Sequence, residues 1–431
     1  MTAHDPHQLL DAAGGLPEAA PPWTGRDRLR ITAVRAIVTA PEGIPLVVVR
    51  VDTSEDGLYG LGCATFTQRF AAVVAAVTEH VAPLAIGRHP ADIEDLTRLV
   101  HYSSYWRGGP VLNNALSGLD QALWDIAGKR AGMPVHELLG GRSRAGVEVY
   151  THASGPSIDA TLAQAEQQIA AGYRNIRLQV GGKGLGTYGA PGTRNGYPGT
   201  PHPDGWDPEE YLRTVPRLFE AARERLGDSV NLMHDVHSRL TPKQAIVLAR
   251  ALEPYHLAFL EDVIAPEFYD RLPEVRAASP VPIAVGEQVG SVTGAARLIR
   301  TGAVDLLRLH TSAIGGLTPT RKVVAMAELS GVRTAFHSPG DITPVGVAAN
   351  LAVDISTPAF GYQESHEYND ATHEVFPGTP VVSSGYLHPS DQPGWGVDLD
   401  ERAAAGFPPT YQLFERWAAQ VRKPDGGLEA P

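Results

Sequence analysis

The sequence predicts an α/β protein: a modified TIM-type (β/α) barrel with an N-terminal α+β capping domain. Three observations lead there. After Val147, eight short apolar runs alternate with helical stretches of ~20 residues, a strand-rich segment precedes them, and carboxylates stand at the ends of three successive runs. A chain of 431 residues with 43% hydrophobic content is long enough for two domains and buries a full core.

Residues 1–28 are rich in Ala, Pro, His and Asp, lack an apolar run of signal-peptide length, and read as a flexible tail. Residues 29–146 read as the capping domain. Its strands are Ile31 to Val38, Pro45 to Val51 and Tyr59 to Thr65, separated by the turn formers Pro41-Glu42-Gly43 and Glu55-Asp56-Gly57. Helical periodicity follows in Phe70 to Ala85, Asp92 to His101 and Val111 to Ala131, the last with Ala115, Leu119, Ala122, Leu123 and Ile126 on one face.

Residues 147–384 read as the barrel, with strands at Val147 to Thr151, Asn175 to Val180, Val230 to Val236, Ala258 to Glu261, Ile283 to Glu287, Leu306 to His310, Arg333 to His337 and Gly361 to Glu364. Between the second strand and its helix lies an insertion, Gly181 to Trp206, with nine glycines and no hydrophobic periodicity. Its length marks it as a functional loop, a candidate lid. Residues 385–431 carry Pro and Gly turns and are expected to return to the capping domain.

Composition excludes several classes of partner. A formal charge of −12 argues against nucleic acid, whose binders cluster Lys and Arg. No stretch reaches the ~18 consecutive apolar residues of a membrane helix. The lone cysteine, Cys63, excludes an internal disulfide and a thiolate zinc site, and fits a reducing cytoplasm.

Asp235, Glu261 and Glu287 follow one another at 26-residue intervals, each ending an apolar strand. A single acid at such a place commonly caps a helix or pairs with an arginine. Three in equal register converge on the barrel face where active sites form, and hard oxygen ligands suit Mg²⁺. Arg177, Gln179, His237, His310, His337 and Glu364 stand at further strand ends, and as a group they look catalytic.

The stretches His234-Asp-Val-His-Ser-Arg-Leu-Thr-Pro242, Phe259-Leu-Glu-Asp262, Val285-Gly-Glu287, Gly361-Tyr-Gln-Glu364 and Gly385-Tyr-Leu-His-Pro389 carry a resemblance. From about Ile31 to Glu401 the chain resembles the enolase superfamily and, within it, the mannonate dehydratase-like group. The resemblance implies Asp235, Glu261 and Glu287 as Mg²⁺ ligands, Tyr188 as general base assisted by Arg177, and His237 as the acid/base partner. It places His152, His337 and Glu364 against substrate, and Thr67 and Asp341 are read with that set. The implied reaction is dehydration of an aldonate such as D-mannonate or D-gluconate to a 2-keto-3-deoxy sugar acid, and a homo-oligomer is expected.

Three departures touch substrate recognition. Thr67 stands where the family usually has Asn, His337-Ser-Pro339 replaces His-Gly-Ala, and the C-terminal tail lacks the family's usual Trp-containing ending and stops in Asp425-Gly-Gly-Leu-Glu-Ala-Pro431. They imply broad specificity or low activity on mannonate. Two alternatives stay open: a racemase or epimerase of the same superfamily, and a non-catalytic sugar-acid-binding relative.

Overall fold

The computed structural model describes residues 27–181, 205–410 and 423–427. Three antiparallel strands, β1 (Ile31–Thr39), β2 (Leu46–Thr53) and β3 (Tyr59–Cys63), form the capping sheet in sequence order. The helix Pro110–Ala131 lies across it, opened by a proline in its first turn and closed by left-handed Gly132 (φ 67°). Strand and helix meet backbone to backbone. A Cβ on Gly60 or Gly62 would stand 2.0 Å from the carbonyl oxygens of Ala122 and Gly118, so only glycine permits this approach. The expected helix from Phe70 to Ala85 forms, with a π-helical turn over Val77–Val81.

The barrel strands are β4 (Val147–Gly155), β5 (Asn175–Val180), β6 (Asn231–Asp235), β7 (Phe259–Glu261), β8 (Ile283–Val285), β9 (Leu306–Leu307), β10 (Arg333–Phe336) and β11 (Phe360–Glu364). Each pairs in parallel with the next, and β11 pairs back onto β4, which closes the cylinder. Each of the eight expected runs overlaps one of these strands, with β4 running on to Gly155 and β11 starting one residue earlier at Phe360. The ladders of β8 and β9 end earlier than expected, where Gly286 (φ 154°) passes so close that a Cβ would meet the Arg308 backbone at 2.9 Å.

Tyr150, Met233, Phe259, Ala284, Leu306 and Ala335, one from each of six strands, fill the interior as an apolar plug. A short β12 (Tyr386–Leu387) pairs antiparallel with Glu148 and Val147 at the start of β4. Beyond it Trp395 is buried against the capping domain, donating from its backbone N to Asp125 and from Nε1 to the Leu61 carbonyl. No helix among the described residues is long and apolar enough to cross a membrane.

Candidate active site

The site follows from the plug by a step of two residues. Side chains on a strand alternate faces, so the residue two beyond a plug residue also points inward, one layer nearer the C-terminal mouth. Tyr150 is thus followed by His152, Met233 by Asp235, Phe259 by Glu261, Leu306 by Arg308 and Ala335 by His337. On the remaining strands the same step leads from Asn175 to Arg177 and from Tyr362 to Glu364. Glu287 falls one residue later than the alternation gives, just past the Gly286 turn. His237 and Ser238 both adopt left-handed backbone (φ 57° and 62°), and Asp235 accepts a 2.6 Å hydrogen bond from the His237 N–H within that turn. Two consecutive non-glycine residues in this region mark stored strain.

Two buried guanidiniums knit the carboxylates together. Arg177 lies 2.8 Å from Glu261, 3.4 Å from Asp235 and 3.3 Å from Glu364. Arg308 contacts Glu261 and Glu364 and lies 3.2 Å from Glu287. His152 Nε2 is 2.7 Å from Glu364, and His337 bridges Glu287 (2.9 Å) and Asp341 (3.5 Å). His310 stacks on His337 with ring centroids 4.8 Å apart.

These neighbours set the protonation states. Burial opposes a charge on His337, yet the Glu287 carboxylate and the Asp341 contact raise it to about 10. Burial also resists ionisation of Glu364, but Arg308 and Arg177 hold it well below the usual carboxylate range. Desolvation lowers His237 to about 4, so the free site holds a neutral imidazole there. Asp262 is pushed well above the usual range by burial and then by the facing Glu287 and Glu261.

A cavity of about 960 Å³ opens over this layer, between the barrel mouth and Thr67, Gln68 and Asn114 of the capping domain. Thr67, His152, Arg177, Asp235, His237, Glu287, His337, Asp341 and Glu364 line it. Glu261 lies beneath, fully buried and ion-paired to both guanidiniums. Tyr188 lies outside the described residues, as does the insertion carrying it except Gly181, Gly205 and Trp206.

Sequence reasoning missed Arg308, although Leu306-Leu-Arg308 carries the same two-residue step as its neighbours. It also gave no role to Asp262. Yet oxygens of Glu261, Asp262 and Glu287 all lie within 4.8 Å of one another, a group able to hold a cation. Asp235 stands apart from that group, with Arg177 between it and Glu261. An all-oxygen donor set, in which the buried Asp262 oxygens have no hydrogen-bond partner among the described residues, fits Mg²⁺ rather than a soft metal.

A closed parallel barrel, a capping domain over its mouth and acids at successive strand ends define an enolase-type enzyme. Residues 26–140 match the family described as mandelate racemase / muconate lactonizing enzyme, N-terminal domain, and residues 160–403 match the enolase C-terminal domain-like family. A D-galactonate dehydratase family member from Catenulispora acidiphila is 79% identical over 99% of this chain and 100% of its own length. Another, from Pantoea ananatis, is 47% identical over 94% of this chain and 99% of its own. The crystal structure of an enolase from Pantoea ananatis with bound D-gluconate and Mg superposes with a TM-score of 0.84 at 49% identity, covering 88% of this chain and 95% of that one. The chain belongs to the enolase superfamily and, within it, to the D-galactonate dehydratase family. It is a lyase of the hydro-lyase type.

Proposed function

We propose that this enzyme dehydrates an aldonic acid to its 2-keto-3-deoxy product with Mg²⁺, and that its pocket accepts more than one epimer, D-gluconate and D-mannonate among them. The observation that carries the reading is one cavity lined by Glu287, Asp235, Arg177 and His237 together, with buried Glu261 ion-paired to Arg177 beneath it. The Mg and D-gluconate held by the Pantoea enolase support it.

The bound ion would be held by Glu261 and Glu287 with Asp235, and supplies positive charge to the carboxylate of the substrate as its α-proton leaves. Tyr188 takes that proton in this reading, a role resting on the family resemblance. A phenol near pKa ~10 is a poor base at neutral pH, and the fixed charge of Arg177 favours its ionised form. Arg177 is itself held rigid by Glu261 and Glu364. His237 delivers a proton to the departing 3-hydroxyl. Neutral in the free site, it gains that proton when the anionic substrate settles beside it. His152, Glu364, His337 and Asp341 orient the hydroxyl chain, and Thr67 reaches it from the capping side.

Epimerisation in this superfamily would draw on a His–Asp pair across the seventh and sixth barrel strands; here His337 stacks on His310, and the sixth strand end Leu306-Leu-Arg-Leu-His310 carries no acid. The reading extends to a homo-oligomer in the reducing cytoplasm, which the buried free thiol of Cys63 suits.

The test is kcat/KM on purified protein with Mg²⁺ across galactonate, gluconate, mannonate and other aldonates, with assay of 2-keto-3-deoxy product. Chelation of the metal and Tyr188→Phe should each abolish product. Turnover that persists under both treatments would sink the proposal.

A further inference from the structure

We infer that Asp262 is a fourth carboxylate of the cation centre, holding the divalent ion together with Glu261 and Glu287. The inference rests on the Mg²⁺-dependent reading above and adds a residue to it.

Asp262 is fully buried, and neither of its oxygens has a hydrogen-bond partner among the described residues. A buried carboxylate is normally ion-paired or richly hydrogen-bonded, because an unpaired one is among the costliest groups a fold can carry. Here the neighbours worsen the cost, since Glu261 and Glu287 bring two further carboxylates within 4.8 Å. The guanidiniums of Arg177 and Arg308 are engaged by Glu261, Glu364, Asp235 and Glu287, and no described ion pair reaches Asp262.

The backbone holds the group in this place. Asp262 adopts left-handed backbone (φ 38°), its N–H donates to the Ala284 carbonyl at 3.0 Å, and its carbonyl accepts from the Ser238 N–H at 2.6 Å. The residue is therefore tied to strand β8 on one side and to the turn after β6 on the other. Ionised, an aspartate pinned beside two acids needs a compensating partner, and a cation supplies one in place of a proton. Ligand oxygens around an octahedral Mg²⁺ at about 2.1 Å lie at most roughly 4 Å apart. The observed spread needs only a small inward shift.

The experiment measures Mn²⁺ affinity, by paramagnetic resonance or calorimetry, and the melting temperature with and without Mg²⁺, on the full chain and its Asp262→Asn and Glu261→Gln variants. Asp262→Asn is expected to weaken Mn²⁺ binding roughly ten- to a hundred-fold. Its melting temperature without cation should match or exceed the parent's, because one of three crowded carboxylates is gone, so the stabilisation given by Mg²⁺ shrinks. Asp262→Ala serves the same purpose should the amide disturb the fold. Unchanged affinity in Asp262→Asn, with or without a lower melting temperature, makes the residue structural and overturns the inference. If Glu261→Gln loses the ion while Asp262→Asn does not, this inference alone fails. A parent protein that binds no Mn²⁺ removes the functional reading as well.

Discussion

Arg308 lies against Glu261 with both side chains sealed from solvent, at 1% and 0% exposure. The same guanidinium reaches Glu287 and Glu364, so one cation balances three acids from three different strands. Removing one partner of a buried pair leaves the other charge uncompensated. Arg308→Gln should therefore destabilise the cation-free protein by about 3–5 kcal/mol. Because Mg²⁺ can replace part of the missing charge, chemical denaturation with and without Mg²⁺ should show a larger metal-induced gain in the variant than in the parent. An equal gain in both would separate the arginine from the cation centre.

Glu42 couples the capping domain to the loop after β11. Its carboxylate stands 2.7 Å from His366 Nε2 and accepts from the Asn369 N–H at 2.9 Å and the Thr372 hydroxyl at 2.8 Å. The His366 ring in turn lies where a Cβ on Gly340 would come within 2.9 Å, one residue before Asp341, the contact of His337. Glu42→Ala should cost about 1–3 kcal/mol of stability by leaving these donors unpaired. Through Asp341 it should also raise KM several-fold more than it lowers kcat. Steady-state kinetics on the best aldonate decides: a change in kcat alone would mean that the clamp does not reach the substrate.

Asp120 gives stability a pH signature. Fully buried, it is raised from 3.8 to about 6 by burial, against hydrogen bonds from the Thr318 N–H and the Thr97 hydroxyl. A carboxyl whose folded pKa is raised contributes stability that is complete below ~3.9, the unfolded value, and is lost as pH rises through the folded value. The window runs from about 4 to about 6, and the rise corresponds to on the order of 3 kcal/mol. The parent should thus be stabilised relative to Asp120→Asn at pH 4.5 by more than at pH 7.5, as read from paired thermal melts. A difference that is flat with pH would refute the assignment.

Much of this architecture is written in local pattern. The eight apolar runs became the eight barrel strands because a buried parallel strand shows itself as a short apolar run, and Asp235, Glu261 and Glu364 point to the mouth by a period of two that Glu287 misses by one residue. What the pattern could not give is partnership. Arg308 reads as one more charged residue until the closed barrel sets it beside Glu261 and Glu364, contributed by strands 47 and 56 residues away in sequence. Asp262 likewise breaks the alternation, and only its left-handed backbone turns it toward Glu287. The Glu42 clamp spans more than 320 residues of sequence, beyond the reach of any local rule.

Thr67 and Pro339 bear on substrate choice. Both line the cavity, Thr67 from the capping domain and Pro339 from the loop after β10. Thr67 is buried, and its hydroxyl donates to the neighbouring Gln68 side chain at 3.2 Å, so it offers substrate less than an amide with two donors and an acceptor would. Pro339 follows Ser338, whose N–H donates to Glu364 at 2.8 Å, and lacks an N–H of its own to give. A site that forgoes a hydrogen bond to one hydroxyl surrenders roughly 1–3 kcal/mol of discrimination at that carbon. The parent enzyme should therefore turn over mannonate weakly and gluconate comparably. Thr67→Asn should sharpen the choice between the two epimers by roughly five- to a hundred-fold in the ratio of kcat/KM, with the metal affinity unchanged. Parallel assays on mannonate, gluconate and galactonate with Mg²⁺ supply the ratio. A parent enzyme with high kcat/KM confined to mannonate, or a Thr67→Asn variant with the parent's ratio, would show that the capping-domain hydroxyl does not read the substrate.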